Sequence, residues 1–216
     1  MINDGLNMKR FLCGVIFLMM VSPLSLAESF VAGKHYEVLP SPVVTRDKSK
    51  VEVVELFWFG CIHCFHFEPV IQAWKKQQAD DVDFHSMPAM WNKDMQLHAK
   101  AFYAAKALGK FDQLSEAMFT AMNVNKNRLK SEKAIQALFA KHGVDEASFK
   151  QVFNSFGVNS QVNLADSRAR AYRLQGTPEL VVNGKYRVAT SLAGSQAKML
   201  EVVDFLVAKE RALLAQ

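Results

Sequence analysis

Residues 51–59, Val-Glu-Val-Val-Glu-Leu-Phe-Trp-Phe, are almost continuously apolar and rich in β-branched and aromatic side chains. That pattern predicts a central strand buried on both faces. Gly60 ends it, and Cys61 opens a predicted helix to about Gln78, with Pro69 placed to kink it. Val82–His85 is a second strand candidate. From about Trp91 to Asp166 the apolar period lengthens to 3.6. Phe111, Leu114, Met118, Phe119 and Met122 share one helical face, as do Ile135, Leu138 and Phe139, and then Phe149, Val152, Phe153 and Phe156. These stripes read as core rather than as a cofactor box. Ser131 is a candidate N-cap, and Gly143 and Gly157 are placed to stop helices.

Strands then return. Leu180-Val181-Val182 and Lys185-Tyr186-Arg187-Val188 flank Asn183-Gly184, the dipeptide a type I′ hairpin turn prefers. A closing helix carries Met199, Val202, Val203 and Leu206 on one face. The order strand, helix, strand, helical block, strand, strand, helix predicts one α/β unit with helices inserted into it.

The N-terminus follows a different pattern. Lys9 and Arg10 precede an apolar run from Phe11 to Val21, Pro23 breaks it, and Ser25-Leu26-Ala27 supplies small residues for cleavage. This is the pattern of a secretory signal peptide, residues 1–27. As a membrane anchor the run is too short, because eleven residues at about 1.5 Å rise cannot cross roughly 30 Å of hydrocarbon. Composition agrees with a globular exported chain: 50% of residues are hydrophobic and 22% charged, enough apolar material for a sizeable core. The formal charge of +5 is modest, and no concentrated run of Lys and Arg marks a nucleic-acid partner.

Cleavage would remove Cys13 and leave two cysteines, Cys61 and Cys64. Exported chains sit where disulfides persist, yet a bridge across so short a loop stabilises a fold by only about 2 kcal/mol. The pair is therefore better suited to react than to staple. Within Cys61-Ile62-His63-Cys64-Phe65-His66, haem attachment fails because Phe65 stands where a His is required. A zinc site from Cys61, Cys64, His63 and His66 lacks the second, separated ligand pair that structural sites use, so no metal is expected. A redox dithiol between a strand and a helix start fits the pattern. There, unpaired N–H groups and the helix dipole favour the Cys61 thiolate, and a protonated His63 would add to them. Cys61 would be the outer nucleophile and Cys64 the resolving thiol.

Glu55 through Cys64, followed by Phe67-Glu68-Pro69, resembles the active-site strand and helix of the DsbA family of periplasmic thiol:disulfide oxidoreductases. Thr177-Pro178 and then Val181-Val182-Asn183-Gly184-Lys185-Tyr186 resemble that family's cis-proline strand and hairpin. The resemblance spans essentially the whole chain after the signal. It implies a thioredoxin fold formed by residues 28–90 and 167–216, with residues 91–166 as an inserted all-helical domain. It further implies a cis Pro178 beside the Cys61 sulfur, Thr177 pairing with substrate backbone, and Glu55 beneath the site as proton acceptor for Cys64. Glu52 has no such counterpart and reads as structural; Glu68 reads as a solvated helix face, and His66 as a surface or packing residue. Ile62, where the family often has Pro, and Thr177, where Val is also common, are departures that bear on redox poise and substrate release.

The function so implied is donation of a Cys61–Cys64 disulfide to reduced exported polypeptides, with no cofactor beyond the cysteine pair. Reoxidation would come from a quinone-linked inner-membrane partner of the DsbB type. The chain is read as a periplasmic monomer. Disulfide isomerase or reductase activity at the same site, and a non-catalytic thioredoxin-like binding protein, are the alternatives.

Overall fold

A computed structural model describes residues 30–214. The expected signal segment 1–27, including Cys13, lies outside the described residues. A five-stranded sheet in the order β1-β5-β4-β2-β3 forms the frame. Its strands are β1 (Glu37–Val38), β2 (Val51–Phe57), β3 (Val82–Pro88), β4 (Glu179–Val182) and β5 (Tyr186–Ala189). β2 runs parallel to β3 and antiparallel to β4, so it is central, and all seven of its residues are buried. The continuous apolar run predicted that placement. β3 extends three residues beyond the expected His85, and the two-residue β1 carries no alternation that would have announced it.

Two layers cover the sheet. On one face Val51 and Val53 pack against Phe67, Ile71 and Trp74 of α1 (Ile62–Gln77) and against Met199, Val202, Val203 and Leu206 of α8 (Gln196–Leu214). α1 continues through Pro69. On the other face Val54 and Leu56 meet Ala165, Ala169 and Tyr172 at the end of α6 (Phe156–Ala171).

Between β3 and β4 stand α2 (Lys93–Ala107), α3 (Phe111–Asn123), α4 (Glu132–Lys141), α5 (Glu146–Phe153) and then α6. Their buried faces contain the expected Leu114, Met118, Phe119, Ile135, Phe139, Phe149 and Phe153. Ser131 caps α4 by accepting from the Ala134 N–H, and Gly143 follows that helix at φ 75°. Gly157 is different from expectation, because it lies in the first turn of α6. Ser155 accepts from the Val158 N–H and starts a new helix, which turns Phe156 off the α5 face to 88% exposure. α6 also passes unbroken through residue 166, and its last turns belong to the sheet's core. A junction at 166 thus falls inside a helix that both parts share.

The β4–β5 turn has Asn183 at φ 50° and Gly184 at φ 61°, the signs a type I′ turn needs. Gly184 also accepts from the Val43 N–H at 2.8 Å, and a Cβ at this position would collide with the Val43 carbonyl. Replacing Gly184 by Ala therefore combines a left-handed backbone penalty of about 1–2 kcal/mol with that collision. Gly184→Ala should lower the urea midpoint by the equivalent of at least about 2 kcal/mol. An unchanged midpoint would contradict this account of the turn.

Candidate active site

β2 delivers the chain to a turn that α1 then leaves. The Cys61 N–H donates to the Trp58 carbonyl at 3.0 Å, and Cys61 occupies the N-cap of α1 in extended conformation. Its sulfur is partly exposed, whereas Cys64, one turn further in, is 0% exposed. Both are free thiols.

Their chemistry is asymmetric. The Cys61 thiol is held down at about 5, chiefly by a hydrogen bond from Cys64, with the Thr177 side chain and the backbone N–H groups of Cys64 and His63 acting in the same direction. Cys64 is pushed far up, first by burial and then by the neighbouring Cys61 charge. A buried thiol without a cation keeps its proton and can donate it to the adjacent sulfur.

Opposite α1, the Thr177–Pro178 peptide bond is cis, and the Cys61 thiol donates to the Thr177 carbonyl at 3.3 Å. The loop is tied down from behind. Glu179 accepts the N–H groups of Gln175 and Gly176 as well as Arg187 Nη1 at 3.1 Å, and the same nitrogen donates to the Arg173 carbonyl at 2.7 Å. Thr177, Pro178, His63 and Gln196 line an open groove of about 260 Å³ beside the sulfur. His63 reaches Cys61 through its backbone N–H; its ring is exposed, and its carbonyl accepts from Gln196 Nε2 at 2.8 Å. Ile62 is exposed at the mouth of the site.

Glu55 and Glu52 are both buried in β2, three residues apart, so strand alternation sends them to opposite faces. Glu52 meets Arg168 of α6 at 2.5 Å and accepts the Arg46 N–H at 3.0 Å, a structural pairing as expected. Glu55 points to the cysteine side with no cation. Ser86 Oγ donates to its Oε2 at 2.7 Å, and Oε1 has no partner. Burial, reinforced by the Glu68 charge, raises its carboxyl to about 8, and its own charge acts on Cys64. Glu68 departs from the expected solvated face. It is partly buried in a second groove, accepts from Gln72 at 3.0 Å, and is raised by burial. His66 is exposed and lies against the Phe65 ring.

Among the described residues, Glu52, Asp83 and His85 bring ligand-type atoms within 4.8 Å of one another. Arg46 and Arg168 already engage those carboxylates, so the charge a metal would supply is in place. Sequence reasoning missed Glu179, Arg187, Gln196 and His98. The last was detectable as a histidine at a core position of α2, three residues after Met95 and four before Phe102.

The sequence matches the DSBA-like thioredoxin domain family over residues 67–201. A thiol:disulfide interchange protein DsbA from Burkholderia cepacia is 40% identical over 177 residues, covering 82% of this chain and 84% of its own. The DsbA of Pseudomonas aeruginosa strain PAO1 is 37% identical over 186 residues, covering 86% and 88%. Among solved structures, a Pseudomonas aeruginosa DsbA superimposes with TM-score 0.83 at 36% identity, covering 87% of this chain and 97% of that one. An oxidoreductase DsbA from Xylella fastidiosa gives 0.79 at 33%, covering 84% and 98%. Carrying the cysteine pair, the cis-proline loop and the helical insert on one thioredoxin-like sheet, the chain belongs to the DSBA-like thioredoxin domain family.

Proposed function

We propose that this protein is an exported thiol:disulfide oxidoreductase that oxidises reduced polypeptides with a Cys61–Cys64 disulfide. The observation that carries this is the asymmetry of the pair, a partly exposed Cys61 at the helix N-cap above a fully buried Cys64, which holds the first thiol down and pushes the second up. A substrate thiolate attacks the Cys61 sulfur; the Cys61–Cys64 bond breaks and Cys64 leaves, taking up a proton. A second substrate thiolate then attacks the substrate sulfur of the mixed disulfide, and Cys61 leaves as its stabilised thiolate. Two electrons pass from substrate to protein. A good leaving group makes the second step fast, and a stable thiolate makes the reduced protein the favoured product.

In this scheme Glu55, neutral up to about pH 8, supplies the proton to the leaving Cys64 and takes it back during reoxidation. Thr177 offers its backbone to an extended substrate segment beside Cys61, with Pro178, Ile62 and His63 at the margin. The thioredoxin-like part comprises 28–90 and 167–216 and the insert 91–166, the two joined through α6. The DsbA relatives support a membrane reoxidant, here assigned to a quinone-linked protein of the DsbB type. They also support export, and the Lys9-Arg10, apolar run and Ser25-Leu26-Ala27 pattern supports a signal peptide cleaved after about Ala27 and a periplasmic site of action.

The division of labour is tested by trapping. Cys64→Ser should accumulate mixed disulfides with reduced substrates on non-reducing gels, and Cys61→Ser should accumulate almost none. Equal trapping would overturn the assignment.

The depressed Cys61 value sets how many protons accompany reduction. Below about pH 5 the disulfide takes up two protons with its two electrons, and above it only one. The potential should therefore fall by roughly 60 mV per pH unit below that point and by roughly 30 mV above it. A single slope from pH 4 to 8 would contradict the thiolate account.

Glu55 has the opposite linkage. The folded state holds its proton up to about pH 8, and an unfolded chain releases it near 4.5. Between those values the folded state binds more protons, so stability falls as pH rises, at up to about 1.4 kcal/mol per unit. Glu55→Gln should flatten this slope in urea titrations and slow mixed-disulfide turnover. An unaltered slope would remove Glu55 from the buried proton inventory.

A further inference from the structure

Trp58 acts on both cysteines through its backbone. Its carbonyl accepts the Cys61 N–H at 3.0 Å, and its backbone pulls the Cys64 thiol down, a lesser effect than the burial that pushes it up. The position of this one residue therefore bears on both halves of the redox pair. The indole fixes that position from the far side, across the boundary with the helical insert. Its Nε1–H donates to His98 Nδ1 at 3.0 Å, with the two ring planes 23° apart and their centroids 6.2 Å apart. Gly60 lies directly on the indole, so that a Cβ there would run into the ring.

The tautomer of His98 follows from its partners. An indole nitrogen only donates, so Nδ1 accepts, and the neutral ring carries its proton on Nε2. That nitrogen faces the Leu129 carbonyl at 3.2 Å, in the connection between α3 and α4. A second proton would set two N–H groups against each other at Nδ1, and burial also holds the ring neutral. His98 is 1% exposed, between Met95 and Phe102 on the buried face of α2. A hydrophobic residue would suit such a position at no desolvation cost, whereas an imidazole is tolerated only with both nitrogens satisfied. The two bonds it makes run to the turn before Cys61 and to the insert's own loop.

We propose that His98 is a positioning residue for the redox pair, holding Trp58 and with it the 58–61 turn against which both sulfurs are set. The proposal rests on the reading of Cys61 and Cys64 as a redox dithiol and adds to it a residue of the insert that tunes the pair without touching substrate. Loosening Trp58 weakens the hold on the Cys61 N-cap, and with it the placement of the His63 and Cys64 N–H groups that favour the Cys61 thiolate. The reduced state then loses part of its preorganisation.

The test is the equilibrium of each variant with glutathione, together with titration of thiolate absorbance. His98→Leu and Trp58→Phe each remove the indole–imidazole bond. Each should raise the Cys61 pKa and lower the equilibrium constant for reduction of the protein by about three- to tenfold, the scale of one hydrogen bond. His98→Asn, whose Oδ1 stands where Nδ1 stood, should recover most of the wild-type constant. The double variant should be no worse than either single one, because both break the same bond. Constants within twofold of wild type for Trp58→Phe, additive losses in the double variant, or no recovery by Asn would each overturn the proposal. Should His98→Leu fail to fold, Trp58→Phe and His98→Asn still decide it. A wild-type protein that does not exchange with glutathione would defeat the redox reading itself, which separates the two failures.

Discussion

The burial of Cys64 is the constraint on which the site depends. A thiol with no exposed surface and no cation keeps its proton, and a protonated neighbour is what stabilises the Cys61 thiolate most. That burial is not a property of the helix that carries the cysteines. Cys64 belongs to one apolar cluster with Phe57 and Phe59 from the sheet side and Phe102, Leu114, Met118 and Phe119 from the insert. The helical block therefore supplies the low-dielectric wall that makes the two sulfurs unequal. Without it the pair would be two exposed thiols near a helix start.

Around that wall, polar groups divide according to whether a partner was provided. Glu52 faces Arg168 and Arg46, and Glu179 faces Arg187, so each of these buried carboxylates has a cation beside it, although burial still pushes Glu179 up. Glu55 receives only a serine hydroxyl, and its high proton affinity is the direct result. Removing one partner of a buried pair is far more costly than never having the pair. The paired acids accordingly serve as supports, the Glu179–Arg187 pair for the Thr177 loop and Glu52 for the seat of α6. Glu55, left neutral beside a thiol that must gain and lose a proton, is the one suited to exchange.

The separation into sheet and insert is weaker in space than along the chain. α6 begins among the helices and ends on Val54, Leu56 and Val181 of the sheet. Asn123 of α3 reaches back to the Phe59 carbonyl at 2.7 Å, and His98 of α2 to the Trp58 indole. Three helices of the insert thus contact β2 or the residues that follow it.

Much of this was legible in the order of residues. An unbroken apolar run determines a central strand because both its faces must be covered, and Asn-Gly determines a turn because only such residues accept two positive φ angles without strain. The cysteine spacing at a strand-to-helix step determined which sulfur stands at the helix start and which lies one turn along, but not that the second is buried. The parity of Glu52 and Glu55 was also present in the numbering, and with it their assignment to opposite faces. What periodicity could not convey is where a stripe ends. Phe156 continues the α5 pattern by spacing, yet a serine cap restarts the helix and exposes it. Nor does any local signal say that Thr177 lies against Cys61, that Arg187 braces Glu179, or that His98 meets Trp58. These partners are separated by between 8 and 116 residues, and they meet because the sheet order and the burial of Cys64 bring their elements together. Proton affinities at the site follow from those meetings, so the sequence determined which groups could ionise, and only the tertiary structure decided which of them do.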